Sequence, residues 1–331
     1  MLVLNQKQVT ELLPMGECIG VMREALKTLA QGDAVLPLRT VLRLPDQKSF
    51  FGVMPSYLGS PKAIAAKVIS IFPGNEGTSI DPHQGAVLLF EADHGSLLAI
   101  MDATEVTAIR TGAVSGVATE LLANPGAGDL AILGSGTQAR SHLEAMLAVR
   151  RIRRIRVWSP TESRLKAFAE HSSKKFGLKV EPVNSVKAAV QGADLICTTT
   201  SAREPVLKGD WLAPGAHLNV VGASIPIARE VDTKAMVRSR LFVDRRESTL
   251  SEAGDFLIPK KEGAIGDDHI LAELGELLLK TKPGRGSPDE ITLFKSLGIA
   301  IEDLASAHYV YTKASRLGVG ARVELGGGRH A

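Results

Sequence analysis

Hydrophobic and polar positions follow two rhythms along this chain, and the change between them falls close to residue 125. In the first third, the pattern from about Pro14 to Gln31 predicts one helix. Extended runs follow at Ser49–Met54, Ala63–Phe72, Gly85–Glu91 and Leu97–Asp102, separated by turn signals such as Pro73-Gly74-Asn75 and Asp93-His94-Gly95. Asp102-Ala103-Thr104-Glu105 then opens a second helix, because an Asp cap and a Glu three residues later can satisfy orphan backbone donors reciprocally. That helix ends before Asn124-Pro125-Gly126, the predicted domain boundary.

From Asp129 onward, short apolar strands alternate with helical segments. The strands read Leu130–Leu133, Ile155–Trp158, Leu195–Thr198, Leu218–Val221 and Leu241–Asp244, as in a parallel sheet buried on both faces. Ser159-Pro160-Thr161-Glu162 reads as a helix start, with Ser as cap and Pro first. The alternation stops near Ser287. The stretch Ile291 to Leu317 reads as helical and able to pack back on the first domain, and the tail from Gly326 reads as disordered. The fold class is α/β: a Rossmann dinucleotide-binding domain over 125–290, and an α+β domain from 1–124 with 291–331.

Composition narrows the function classes. With 331 residues, 44% hydrophobic and 23% charged, the chain is ordinary globular material for about two domains. A net charge of +3 is too small and scattered for nucleic acid. The one basic cluster, Arg150-Arg151-Ile152-Arg153-Arg154-Ile155-Arg156, reads as a solvated connection with only Trp158 near it for stacking. Cys18 and Cys197 lie far apart in apolar settings, which predicts neither a disulfide nor a metal pair and favours a reducing compartment. The N-terminus lacks the pattern of a signal peptide, and no apolar run reaches the ~18 residues of a membrane span, so a cytoplasmic location is expected.

The strongest motif follows the first parallel strand. Gly134-Ser135-Gly136-Thr137-Gln138-Ala139 is G-x-G-x-x-A between strand and helix. The first Gly permits the tight turn, the second lets backbone approach a pyrophosphate, and Ala139 allows close helix–strand packing. At the end of the next strand, an NAD site usually offers an acid to the ribose 2′-hydroxyl. Here Trp158-Ser159-Pro160-Thr161 carries none, and Arg164 follows one turn into the helix. That pattern favours NADP(H), with NAD(H) as the alternative.

Charged residues in the first domain are less decisive by themselves. Lys67 shares a strand face with Ala65, Ile69 and Ile71. It is either an edge lysine that snorkels to water or a cleft lysine whose pKa is lowered for proton transfer. Arg39 and Arg110 read equally well as surface or functional arginines. His83 and His269 read as structural, and no metal-ligand spacing is found.

Taken in order, these residues resemble the ornithine cyclodeaminase/mu-crystallin family. The matching stretches are Pro37-Leu38-Arg39-Thr40, Gly52-Val53-Met54-Pro55, Lys67-Val68, Pro73-Gly74-Asn75 and Ile109-Arg110-Thr111-Gly112-Ala113-Val114-Ser115. They continue through the glycine loop, Val221-Gly222-Ala223-Ser224, Ile291 to Gly298 and Glu302-Asp303-Leu304-Ala305. The resemblance implies that the first domain, with the C-terminal helices, binds substrate and forms a homodimer. It also implies that Arg39, Lys67 and Arg110 hold a substrate carboxylate, and that Thr198, Thr199 and Thr200 line the cofactor.

Two departures bear on the activity. The family's cyclodeaminases and archaeal alanine dehydrogenases place Asp where this chain has Ser224, and its cyclodeaminases place an acid where Gly52 stands. A diamino-acid substrate brings a second ammonium that Ser224 cannot neutralise. The resemblance therefore implies a ketimine reductase acting on pyrroline-2-carboxylate or piperideine-2-carboxylate, with Lys67 supplying the proton and Ser224 orienting a water or the imine nitrogen. Cyclodeaminase or alanine dehydrogenase activity, and a non-catalytic NADP-dependent binding protein, are the alternatives.

Overall fold

The computed structural model describes residues 1–46 and 48–326, so most of the predicted tail, residues 327–331, lies outside the described residues. The chain forms two compact units, Met1–Arg110 joined by the chain from Ile299 onward, and Thr111–Gly298.

The first unit is built on a mixed sheet. Its spatial order is Ala321–Arg322, Leu2–Leu4, Leu97–Asp102, His83–Glu91, Lys62–Ile71, Phe50–Gly59 and Ala34–Val35, with Thr40–Arg43 also pairing on Phe50–Gly59. All pairs are antiparallel except Leu2–Leu4 with Leu97–Asp102. Period-two alternation gives the long strands one buried face. On it lie Met54, Ser56 and Leu58 of one strand and Ala63, Ala65, Lys67 and Ile69 of its neighbour, with Met54 directly opposite Lys67. The helix Ala300–Leu317 packs against these two strands, and Ser56 Oγ donates to the Ala300 carbonyl at 3.1 Å.

The second unit holds eight parallel strands, in the order Val180–Pro182, Arg154–Trp158, Asp129–Leu133, Leu195–Thr198, His217–Val220, Ile291–Lys295, Ser239–Val243 and Ile270–Glu273. Its core is the expected continuous apolar one, including Leu133, Ile196, Leu218, Val220, Leu241 and Leu293. The order reverses between Asp129–Leu133 and Leu195–Thr198, the switch point at which open α/β sheets bind ligands.

Four features differ from the sequence-based expectation. Ile291–Lys295 is a fully buried central strand rather than the start of a helix. A five-residue apolar run buried on all sides has no periodicity to separate strand from helix. The units divide inside the helix Ala103–Leu122, not at Asn124, and between Gly298 and Ile299 rather than before Ile291. The C-terminal half of that helix is bonded within the second unit, where Ser115 Oγ lies 2.9 Å from His142 Nε2 and Thr119 Oγ1 accepts from Asn219 at 3.0 Å.

The helix expected at Ser159 begins instead at Glu162, and Ser159 Oγ accepts a hydrogen bond from Ser135 Oγ at 2.9 Å. The basic cluster is not wholly solvated either. Arg156 is buried and donates to the Ala188 and Gln191 carbonyls, because the C-terminal turn of the short helix Val186–Val190 leaves carbonyl groups without intrahelical donors.

Candidate functional site

The glycine loop sits where the motif requires. Gly134 has φ +123°, a left-handed conformation, and a Cβ there would come within 2.6 Å of the Thr199 carbonyl oxygen. Gly136 is different: a Cβ on it would meet nothing, so its outer side is open. Gly136 caps the helix Thr137–Val149 without a side-chain hydrogen bond, which leaves first-turn N–H groups directed at that open side. Ala139 is fully buried against the sheet, while Gln138 uses its carbonyl to bond His142 Nδ1 at 2.7 Å. These residues fit a dinucleotide pyrophosphate.

Beside the loop lies a cavity of about 450 Å³. It is lined by Ser135, Gly136 and Thr137 from the loop, Arg140 from the following helix, and Arg164, Phe168 and His171 from the helix Glu162–Phe176. Arg164 was legible from the sequence. Arg140 and His171 were not, since only tertiary packing brings two helix faces together. Thr161 is exposed and caps the second helix without a side-chain bond.

The threonines after Leu195–Thr198 do not behave alike. Thr198 is fully buried, and its hydroxyl donates to Glu230 Oε2 at 2.6 Å. Thr199 Oγ1 donates to the Leu133 carbonyl at 3.0 Å, next to the glycine loop. Thr200 gives both its N–H and its hydroxyl to Glu230 Oε1, at 2.6 and 2.7 Å. Ser224 is exposed, two residues after Gly222.

In the first unit the structure assembles a buried charge cluster. Lys67, 2% exposed, pairs through Nζ with Asp303 Oδ2 at 2.8 Å and approaches Thr107 Oγ1 at 3.4 Å. Snorkelling to water is thus overturned. Arg110, also buried, donates from Nε to Asp303 Oδ1 at 2.9 Å and from Nη1 to Glu302 Oε2 at 2.7 Å. Asp303 therefore bridges a lysine and an arginine. Arg39 stands half-buried just before the strand Thr40–Arg43, near enough for its charge to act on Lys67.

Burial pulls the Lys67 ammonium down to a pKa of about 8; Asp303 opposes this, and Arg110 and Arg39 add to the lowering. Burial alone would raise the Asp303 carboxyl, but Arg110 and Lys67 override it and hold the group below the usual carboxylate range. His83 belongs to the same surroundings: burial and then the Lys67 charge lower its pKa, so its imidazole is neutral near pH 7.

Sequence reasoning read His83 as structural and gave Glu302 and Asp303 no role. Their signal was present in Ala300-Ile301-Glu302-Asp303-Leu304-Ala305, where two adjacent acids sit within an apolar helical run and cannot both be buried without cationic partners.

A glycine loop at the switch point of an all-parallel sheet defines a dinucleotide-binding protein of the Rossmann class. A model of the ornithine cyclodeaminase/mu-crystallin family matches residues 1–317, and the chain belongs to that family. It is 43% identical over 280 residues to the ketimine reductase mu-crystallin of Mus musculus, covering 85% of each chain. With a Bacillus cereus Δ1-pyrroline-2-carboxylate reductase it shares 36% identity over 326 residues, 98% of this chain and all of the relative. Among solved structures, the Thermococcus litoralis Δ1-pyrroline-2-carboxylate reductase in complex with NADH and L-proline superposes with a TM-score of 0.95. It is 41% identical, with 98% of this chain and 100% of that one covered.

Proposed function

We propose that this chain is an NAD(P)H-dependent reductase of cyclic imino acids, of the pyrroline-2-carboxylate or piperideine-2-carboxylate type. The observation that carries the reading is the buried Lys67–Asp303–Arg110–Glu302 cluster. Arg39 adds a third cation whose charge acts on Lys67, and guanidinium and ammonium groups gathered in this way suit a substrate carboxylate. Asp303 and Glu302 fix the Arg110 guanidinium, so its orientation is set before substrate arrives.

The bound nicotinamide supplies the hydride that reduces the carbon of the C=N bond. Lys67 supplies the matching proton to the imine nitrogen, and its pKa of about 8 lets the ammonium both give up that proton and regain one from water near neutral pH. Ser224 offers a hydroxyl in place of an acid. That suits an imine, and it leaves the second ammonium of a diamino acid without a counter-charge.

The test follows NADPH and NADH absorbance with freshly prepared pyrroline-2-carboxylate and piperideine-2-carboxylate. Oxidation with either imine supports the reading. Turnover with ornithine or alanine alone would replace it, and tight cofactor binding without turnover on any of these would favour a ligand-binding protein.

The pH dependence follows from Lys67. The form needed for reduction is the ammonium, so kcat/KM for the imine is expected to be flat below about pH 8 and to fall about tenfold per unit above it. A rate that rises through this range would remove Lys67 from the role of acid.

NADP(H) is our expected preference. Arg140, Arg164 and His171 line one cavity with Ser135, no carboxylate lines it among the described residues, and Ser159 bonds Ser135 beside it. A ribose 2′-phosphate there would meet two guanidinium groups. Arg164→Ala is expected to lower kcat/KM with NADPH about tenfold, the worth of one charge-assisted hydrogen bond, and to leave NADH turnover nearly unchanged. Equal losses with both cofactors would count against the assignment.

A homodimer fits the sheet of the first unit. Its face away from Lys67 exposes Leu42, Phe51 and Ile64, which a second copy would cover. Two buried free cysteines suit a reducing cytoplasmic setting, and no helix among the described residues is long and apolar enough to cross a membrane.

A further inference from the structure

Three ionisable groups in the second unit have no part in the proposed chemistry, yet all are fully buried: Lys295, Asp255 and Glu230. Lys295 ends the central strand Ile291–Lys295, pairs with Asp255 Oδ2 at 2.9 Å and donates to the Ala223 carbonyl at 2.6 Å. The other oxygen of Asp255 accepts the backbone N–H groups of Glu230 and Val231, at 2.7 and 3.1 Å. Glu230 is therefore seated by Asp255, which Lys295 balances.

The Glu230 carboxylate then reaches two neighbouring loops. Oε2 accepts from the Thr198 hydroxyl and the Gly222 N–H, each at 2.6 Å, while Oε1 accepts from the Thr200 N–H and hydroxyl. One side chain thus ties the segment after Leu195–Thr198 to the segment after His217–Val220. The fit is close enough that a Cβ on Gly222 would fall 2.0 Å from the Thr200 carbonyl oxygen and 2.6 Å from Glu230 Oε1.

Thr199, inside the tied segment, bonds the Leu133 carbonyl ahead of the glycine loop. Both segments leave the C-terminal ends of strands at or beside the switch point, where ligands of open parallel sheets bind.

Burying two carboxylates and one ammonium is costly, and apolar residues of similar volume would hold a core at least as well. An ionic network does what apolar packing cannot. Six directed hydrogen bonds to the two carboxylates, four of them at Glu230, fix backbone positions at a loop with little freedom to relax.

We propose that Glu230, seated by Asp255 and Lys295, is a positioning residue for the nicotinamide end of the dinucleotide site, setting Thr199–Thr200 and Gly222–Ser224 in one arrangement. It acts through Thr198, Thr200 and Gly222, and Lys295 fixes Ala223 immediately before Ser224. This rests on the dinucleotide reading given above.

Glu230→Gln tests it, because the amide keeps the shape and turns one acceptor into a donor facing N–H and hydroxyl groups. Binding of NADPH, NADH and ADP-ribose, which lacks the nicotinamide, is measured by titration calorimetry alongside kcat for the imine. Expected are a loss of about tenfold or more in NAD(P)H affinity and in kcat, with ADP-ribose affinity within about twofold of the unaltered protein.

Thr198→Val is the second variant. It removes a single bond to Glu230 from a buried strand position that near-isosteric Val fills, and is expected to give a smaller loss, about threefold to tenfold, with the same split. Equal loss for ADP-ribose and NAD(P)H in both variants, or no loss in either, would overturn the proposal, since a merely structural role does not distinguish the two ends of the ligand. If the unaltered protein binds neither ligand, the dinucleotide reading falls and this proposal with it. If it binds both but reduces no imine, the substrate reading alone falls, and the affinity split still decides the role of Glu230.

Discussion

Replacing Lys67 by Met is expected to cut the rate of imine reduction by about 10²- to 10⁴-fold, the usual worth of a positioned general acid, with NADPH affinity within about twofold. Methionine keeps much of the length and apolar volume of lysine, so the strand Lys62–Ile71 should retain its packing against Met54 and the helix Ala300–Leu317. What is lost is a buried ammonium 2.8 Å from Asp303, and with it the proposed proton donor and one of the three cations proposed to hold the substrate carboxylate. Stopped-flow measurement of NADPH oxidation separates the outcomes. A fall in kcat with intact cofactor binding supports the role of acid, whereas a rise in imine KM alone would make Lys67 a carboxylate ligand without proton chemistry. Unchanged turnover would remove it from the site.

The second large effect is on stability. Asp303→Asn keeps the shape of the side chain but leaves Lys67 and Arg110 without the charge they share, and removing one partner of a buried pair typically costs ~3–5 kcal/mol. Urea denaturation at pH 7 is expected to show a loss of that order. The loss should also depend on pH in a particular direction. Without Asp303 the Lys67 pKa falls below about 8, while the unfolded lysine still titrates near its ordinary value. Between that lowered pKa and about 8, the unfolded variant binds more protons than the folded one, so its stability rises with pH. In the same window the unaltered protein stays flat, because its folded Lys67 is still protonated there. The penalty therefore shrinks as pH climbs toward 8. A penalty independent of pH would mean that Asp303 acts on packing rather than on the lysine charge. The rate profile should move with it, the downturn in kcat/KM shifting to lower pH in the variant.

These two experiments meet at one carboxylate, and the division between sequence and structure shows most clearly there. The apolar runs from Asp129 onward were enough to announce a parallel sheet, since burial on both faces demands uninterrupted hydrophobic residues. The glycine loop was equally legible. Its chemistry depends on a strand, a tight turn and a helix start, all local in sequence, and the positive φ of Gly134 follows from that local geometry. Lys67 stood out because a lysine on an apolar strand face is locally inconsistent, and such inconsistencies gather at functional sites.

Whether Lys67 reaches water or a partner was a different kind of question. Its partner Asp303 lies 236 positions away, on a helix whose two adjacent acids have no local sequence link to that lysine. No spacing rule links residues so distant, and only packing of that helix on the strand brings them to 2.8 Å. The same holds for Arg140 and His171, which meet Arg164 only when two helices settle on one sheet. It holds also for Ile291–Lys295, whose strand character comes from the neighbours His217–Val220 and Ser239–Val243.

Patterns of period and turn chemistry are written in adjacent residues, so by itself the sequence determined the α/β class, the glycine loop and the residue types available for chemistry. Burial, pairing and pKa depend on which distant groups are brought into contact and how much water is excluded. Only the tertiary structure could therefore decide that Lys67 is a buried ammonium paired with Asp303, its pKa lowered to about 8, and that Glu230 ties two loops of the sheet together.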